Sequence, residues 1–171
     1  MVILRRTQKL ASQLPATADA LPPSDTALGD WYVNKFVVDR KPLVLLVSSR
    51  SLIALLVPAR DVRSLPQRLA GLVAQRLTRM GIGSKLIDAE VAAMSPVGVG
   101  KTADRSVVGI LVDFAFMIPY HLERGAWDET TLPFIEAKLA KNPCFAGRPG
   151  DQTVFPEQAT PALLASRWDA G

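Results

Sequence analysis

The chain has 171 residues, with 20 Lys and Arg against 16 Asp and Glu, one His and one Cys. Its length predicts a single domain, and its 49% hydrophobic content suffices for a packed core without disulfides. Disordered, secreted and membrane classes are disfavoured: Cys144, the one cysteine, cannot form an internal disulfide and points to a reducing cytoplasm, no apolar stretch follows the charges near Met1 as a signal peptide requires, and the most apolar run, Val107–Ile118, is far short of the roughly 20 residues that span a bilayer.

Val2–Leu4 reads as a first strand, and Thr7 can cap a short helix ending near Leu14. Residues 15–30 contain three prolines and Gly29 and read as a long loop. Trp31–Val38, Leu43–Val47 and Leu52–Val57 are rich in β-branched, aromatic and aliphatic residues and are separated by short polar breaks, which predicts an antiparallel meander. The second and third runs are almost continuously apolar, so those strands should be covered on both faces.

Ser64-Leu65-Pro66-Gln67 has the pattern of a capping box, Gly81 supplies a stop, and Leu65, Leu69, Leu72, Val73, Leu77 and Met80 recur at helical spacing between them. Leu86–Val91 reads as another strand and Met94–Gly100 as a glycine-containing loop. A central helix capped by Asp104 or Thr102 runs to about Ile118, where Pro119 should kink or end it. Leu132–Ala140 is a further helix. Residues 142–171, with prolines at 143, 149, 156 and 161, read as a tail wrapping the surface, with Trp168 as an anchor. No internal repeat is present. The expected fold is α+β, an antiparallel meander sheet with helices packed mainly on one face.

Gly98-Val99-Gly100-Lys101-Thr102 resembles part of a phosphate loop, but Ser95 stands where the signature needs its first glycine. Asp113 follows Thr102 too closely for an intervening helix and strand, so a nucleotide-hydrolysing domain is not expected. What survives is that Lys101, Thr102 and the amides of a helix start could bind a lone phosphate or carboxylate. On the following helix Ser106, Gly109 and Asp113 share one face, bordered by Arg105. One reading makes Asp113 the buried partner of an arginine, with Gly109 allowing close packing; the other places Arg105, Ser106 and Asp113 in a pocket. Arg76, inside the apolar arc of its helix, is the candidate partner, with Arg5 and Arg6 as others.

Residues 1–85 carry 13 basic and 5 acidic side chains, whereas residues 86–171 carry 7 and 11. Between Val62 and Ile87 no acid occurs, but Arg63, Arg68, Arg76, Arg79 and Lys85 do. That stretch is either a phosphate-contacting face or a solvated surface beside the acidic half. Trp31 and Tyr32 could stack a ligand or anchor the core. Ser106 and His121 would lie roughly 22 Å apart on a continuous helix, which argues against a dyad. Asp104 and Asp113, roughly 13 Å apart, are too distant to act on one bond. Cys144 with His121 is not excluded by distance. One histidine and no paired-cysteine spacing leave no expected metal site or cofactor.

Arg5-Arg6-Thr7-Gln8-Lys9-Leu10, Leu28-Gly29-Asp30-Trp31-Tyr32-Val33-Asn34, Lys101-Thr102-Ala103-Asp104-Arg105-Ser106-Val107-Val108-Gly109 with Asp113-Phe114, and Asn142-Pro143-Cys144 form four ordered motifs. Together they resemble an uncharacterised bacterial domain-of-unknown-function family over nearly the whole chain. Its members carry Arg-Arg-Thr-Gln-Lys-Leu, then Trp-x-Ala-Asn, then Asn/Asp-Arg-Ser-Val-x-Gly-x-Met-Asn-Asp, and finally Pro-Cys. Val33 stands where that family tends to have Ala, and Leu111-Val112 where it tends to have Met-Asn. The resemblance implies no activity.

The leading expectation is a small cytoplasmic module that binds an anionic ligand, nucleic acid among the candidates, through Arg5, Arg6, Lys9, Trp31, Asn34, Lys101, Thr102 and Arg105. The alternatives are a metal-independent nuclease or phosphoryl-processing toxin using Arg105, Ser106 and Asp113, and a protein-interaction partner in a toxin–antitoxin or defence system. No membrane partner is expected.

Overall fold

The computed structural model describes residues 1–145 and 153–169, so Pro149 of the expected tail lies outside the described residues. The expected meander forms. Strand β2 (Trp31–Val38) pairs antiparallel with β3 (Lys41–Ser48), and β3 pairs antiparallel with β4 (Ala54–Pro58). Asp39 and Arg40, between β2 and β3, adopt left-handed backbone with φ of 50° and 63°, the geometry a two-residue hairpin needs to match strand twist.

The sheet is nevertheless mixed rather than purely antiparallel. Strand β1 (Val2–Arg6) lies parallel to β2 and also parallel to β5 (Val97–Lys101), giving the order β4-β3-β2-β1-β5. Residues 7–30 are what make this arrangement reachable, because a parallel neighbour requires a crossover of a dozen or more residues.

Helices cover both faces, not one. On the first face α1 (Leu65–Arg79), α2 (Ser84–Ala93) and α5 (Pro156–Trp168) pack on Leu4, Val33, Val44, Leu46 and Leu55. On the second face α3 (Arg105–His121) and α4 (Leu132–Ala140) pack on Tyr32, Leu43, Leu45, Val47 and Leu56. The alternating residues of β3 thus enter two separate cores, as its continuous apolar run requires. No helix among the described residues is long and apolar enough to cross a membrane.

Three local expectations are corrected. The strand expected at Leu86–Val91 is part of helix α2, whose buried Ile87 and Glu90 stand three residues apart on one face, with Met94 four further on. The loop expected at Met94–Gly100 contains strand β5. Its Gly98 and Gly100 are not turn residues; a Cβ on Gly98 would come within 2.9 Å of the Met1 methyl and one on Gly100 within 2.8 Å of a Leu21 methyl, so a side chain there would have to displace those tips. The capping box at Ser64 does not form, because Ser64 has helical backbone and continues a 3-10 turn into α1. By contrast, Asp104 caps α3 by accepting the Ser106 amide at 2.9 Å, and Gly81 ends α1 with φ of 79°.

Both open edges of the sheet are capped, one by the backbone and side chain of Thr17 and the other by two side chains. At β5, the Thr17 amide donates to the Val99 carbonyl at 2.9 Å and the Val99 amide donates to Thr17 Oγ1 at 3.1 Å. At β4, Arg76 reaches across from α1 and Glu136 from α4. Arg76 Nε donates to the Ala54 carbonyl at 3.4 Å, and the Leu56 amide donates to Glu136 Oε2 at 2.9 Å. The two side chains take the place of a missing strand. Elsewhere Glu90, fully buried, accepts the amides of Ala27 and Leu28 at 2.9 and 3.1 Å and the Trp168 indole at 2.7 Å, tying the 15–30 segment to α2 and α5.

Glu136→Ala removes the acceptor of the Leu56 amide and strands Arg76 without a counter-charge, so unfolding in urea should show a loss of about 3–5 kcal/mol. A loss below about 1 kcal/mol would mean that packing alone closes this edge. The Asp39 carboxylate accepts the Gly125 amide at 3.0 Å and the Trp127 indole at 2.7 Å. These bonds, the Gly125 amide foremost, hold its pKa below the ordinary 3.8. A depressed folded pKa stabilises the fold above the unfolded value and loses that contribution as pH falls through the folded one. The stability difference between wild type and Asp39→Asn should therefore be constant above about pH 5 and shrink below about pH 4 in denaturation curves.

Candidate functional site

β1 and β5 run side by side, but the chain leaves them in opposite directions. After β1 it enters a 3-10 turn (Gln8–Leu10) whose Leu10 joins the first core; after β5 it enters α3, which packs on the second core. Such a divergence opens a crevice at the carboxyl ends of parallel strands, the usual position of ligands on open sheets. Here it holds a cavity of about 350 Å³ lined by Arg5, Gly100, Lys101 and Thr102 from the sheet and by Ala16, Ala18, Asp19 and Leu21 from the loop.

Arg5 is oriented within it. Its Nε donates to Asp30 Oδ2 at 2.9 Å and its Nη1 to the Lys101 carbonyl at 3.1 Å. Asp30 in turn accepts from Ser24 Oγ at 2.5 Å, and Ser24 accepts the Ile3 amide at 3.0 Å. Gly100 makes this possible, since a Cβ there would sit 3.3 Å from Arg5 Nη1.

Arg6, Lys9 and Arg105 do not line this cavity. Arg6 is buried, donates Nε to the Leu14 carbonyl at 3.0 Å, and forms no ion pair among the described residues. Lys9, Lys101 and Arg105 are exposed. Asn34 is a brace: its Oδ1 accepts from Thr7 Oγ1 at 2.6 Å and from the Lys35 amide at 2.9 Å, fixing the exit of β1 against β2. Trp31 is 1% exposed in the first core, and its indole N–H has no hydrogen-bond partner among the described residues. It is placed to pack, away from any surface ligand.

The start of α3 is already occupied. Tyr32 Oη accepts the Asp104 amide at 2.8 Å and the Ala103 amide at 3.4 Å. The Asp104 carboxylate accepts both the amide and the hydroxyl of Ser106. Tyr32 and Asp104 thus already hold the amides of Ala103, Asp104 and Ser106 at this helix start.

The structure does not bring Ser106 and Asp113 into that cavity. α3 is not a fully buried helix: only the stripe of Val107, Ile110, Leu111, Phe114 and Ile118 is covered, while Val112, Phe116 and Tyr120 are 59%, 68% and 77% exposed. Asp113 lies on the exposed side, and Gly109 has open space where a Cβ would go, so neither close packing nor a buried carboxylate explains them. The partner expected for Asp113, Arg76, meets Glu136 instead, at 3.9 Å. Sequence reasoning missed Glu136 and Glu90, although both interrupt apolar helical faces, the former between Ile135 and Leu139. In the basic stretch 62–87, Arg63 and Lys85 are exposed, Arg68 bonds to Ser64 and to the carbonyls of Arg60 and Asp61, Arg76 is buried, and Arg79 pairs with Glu136 at 2.7 Å. Cys144 is buried and paired through its backbone with Val154. Among the described residues no group of three or more His, Cys, Asp or Glu could hold a metal ion.

Residues 3–159 match the model of a family described as a domain of unknown function, DUF6933. No curated protein and no solved structure matches the chain.

Gly100→Val should push Leu21 and the Arg5 guanidinium off β5, costing about 1–3 kcal/mol. Faster hydrogen exchange at the Thr17 amide, which donates to Val99, would show that the loop has lifted; unchanged protection there would mean that the glycine is not what seats it.

Proposed function

The chain belongs to DUF6933, a family whose description assigns no activity, and we propose that it binds a small phosphate-bearing ligand at the carboxyl ends of β1 and β5. One observation carries this reading: Arg5 and Lys101, far apart in sequence, line the same cavity together with Thr102. A pre-oriented guanidinium and an ammonium together suit phosphate oxygens, the first through directed bonds and the second as a point charge. Asp19 on the wall and Asp30 behind Arg5 offset the formal charges of Arg5 and Lys101, so a phosphate relies here on directed donors rather than on a net positive field. Asp30 is committed to Arg5, and Asp19 forms no ion pair among the described residues. The volume, about 350 Å³, is at the small end of small-molecule sites and suits a mononucleotide or sugar phosphate better than a nucleic-acid strand.

Calorimetric titration with mononucleotides, sugar phosphates and a single-stranded oligonucleotide tests this at two salt concentrations. Binding of at least one small phosphorylated compound is expected, weakening as salt rises. Lys101→Glu should reduce affinity about 10- to 100-fold, the range of a charge-assisted hydrogen bond. Salt-independent binding, or a Lys101→Glu variant that binds like wild type, overturns the reading. Tight binding of the oligonucleotide alone, with a steep salt slope, would replace the cavity by an extended phosphate track.

A further inference from the structure

A second cavity, of about 350 Å³, opens at the other edge of the sheet, where α1, α4 and α5 meet over the β4 clamp. Its walls include Arg76, Arg79, Lys141, Glu157 and Gln158, and the small Ala137 and Ala140 leave it room. Because strand order runs β4-β3-β2-β1-β5, this cavity and the one beside Arg5 are separated by four strand spacings, roughly 19 Å. The two sites stand or fall separately.

The charges here do not balance. Glu136 must serve three donors: its Oε2 accepts the Leu56 amide at 2.9 Å and its Oε1 accepts Arg79 Nη2 at 2.7 Å. Arg76 is left with the same Oε1 at 3.9 Å and with the carbonyls of Ala54 and Glu136 at 3.4 Å each. All three contacts are longer than a normal hydrogen bond of about 2.7–3.2 Å. Yet its side chain is only 6% exposed. Five donors on a buried guanidinium are therefore weakly used, and burial holds its pKa below the ordinary value. Lys141 adds a third cation at the wall, and Glu157, the acid beside it, reaches none of them within ion-pair distance. α5 also begins here without a side-chain cap.

We propose that this cavity binds a compact oxyanion, a phosphate or carboxylate group, held by Arg76 and Arg79 with Lys141 at the wall. The oxyanion completes the coordination of Arg76 that Glu136 cannot supply while it also closes the β4 edge. A planar guanidinium fork suits two oxygens of one group, which favours an oxyanion over a halide.

The test follows the Arg76 and Arg79 Nε–H resonances of the full chain during titration with inorganic phosphate and, separately, with acetate, at constant ionic strength. Saturable shifts at both arginines are expected, with acetate saturating first for a carboxylate ligand and phosphate first for a phosphoryl ligand. Arg79→Gln with Lys141→Gln keeps Arg76 and Glu136 in place, and should weaken binding about tenfold or more. Lys101→Glu should leave it unchanged. Absence of a saturable shift at Arg76 up to about 50 mM of either anion, or a shift that the double variant does not weaken, overturns the proposal.

Discussion

The carboxylate of Glu136 sits where an open sheet has to end. β4 has a neighbour on one side only, and the backbone groups of Ala54 and Leu56 on its other side would otherwise be bare. An unpaired buried amide or carbonyl costs about as much as a lost hydrogen bond. The chain meets that cost by sending Arg76 from one helical layer and Glu136 from the other to meet at the edge. The clamp thus closes the sheet and joins its two covering layers in one contact. It also explains why a glutamate interrupts the apolar face of a short helix.

The meander was legible because apolar runs of strand length, separated by short polar breaks, leave few alternatives. α1, α3 and α4 were legible from helical spacing, with Gly81 and Asp104 as true flanking signals, whereas the Ser64 box does not form and α3 runs past Pro119 to His121. What failed were the places where one residue type serves two purposes. Gly98 and Gly100 look like turn residues but are bare strand positions beneath Leu21, a contact made only after the 15–30 loop has folded back. Leu86–Val91 contains enough aliphatic residues for a strand, and only the burial of Ile87, Glu90 and Met94 reveals the helical period. Parallel pairing of β1 depends on a long crossover, and nothing local in Val2–Arg6 encodes its neighbours. Helices on both faces, in turn, follow from the continuous apolar character of β3, a signal that outweighs any rule placing them on one.

The site was legible in part. Arg5, Lys101 and Thr102 do share a cavity, because register places Arg5 opposite Gly100 and Arg6 opposite Lys101. Arg105 and Lys9 stand exposed outside it. Periodicity correctly aligned Ser106, Gly109 and Asp113, but it could not tell which way that face points, and it points to solvent. Trp31 shows the converse: a residue type that stacks ligands elsewhere is here sealed in the core. The buried carboxylates escaped notice because a glutamate is ordinarily read as surface, and only the geometry of its donors says otherwise.

The Glu90 contacts bear on how the chain is made. Its carboxylate receives the amides of Ala27 and Leu28, made long before it, and the indole of Trp168, 78 residues after it. A chain emerging from the ribosome in order exposes those amides first, then the acceptor, and only much later the final donor. β1 likewise waits for its second neighbour, β5, until Val97–Lys101 have been made. The segment around Ala27 and Leu28 therefore completes its bonds to Glu90, and Glu90 its bond to Trp168, only once those later residues have been translated.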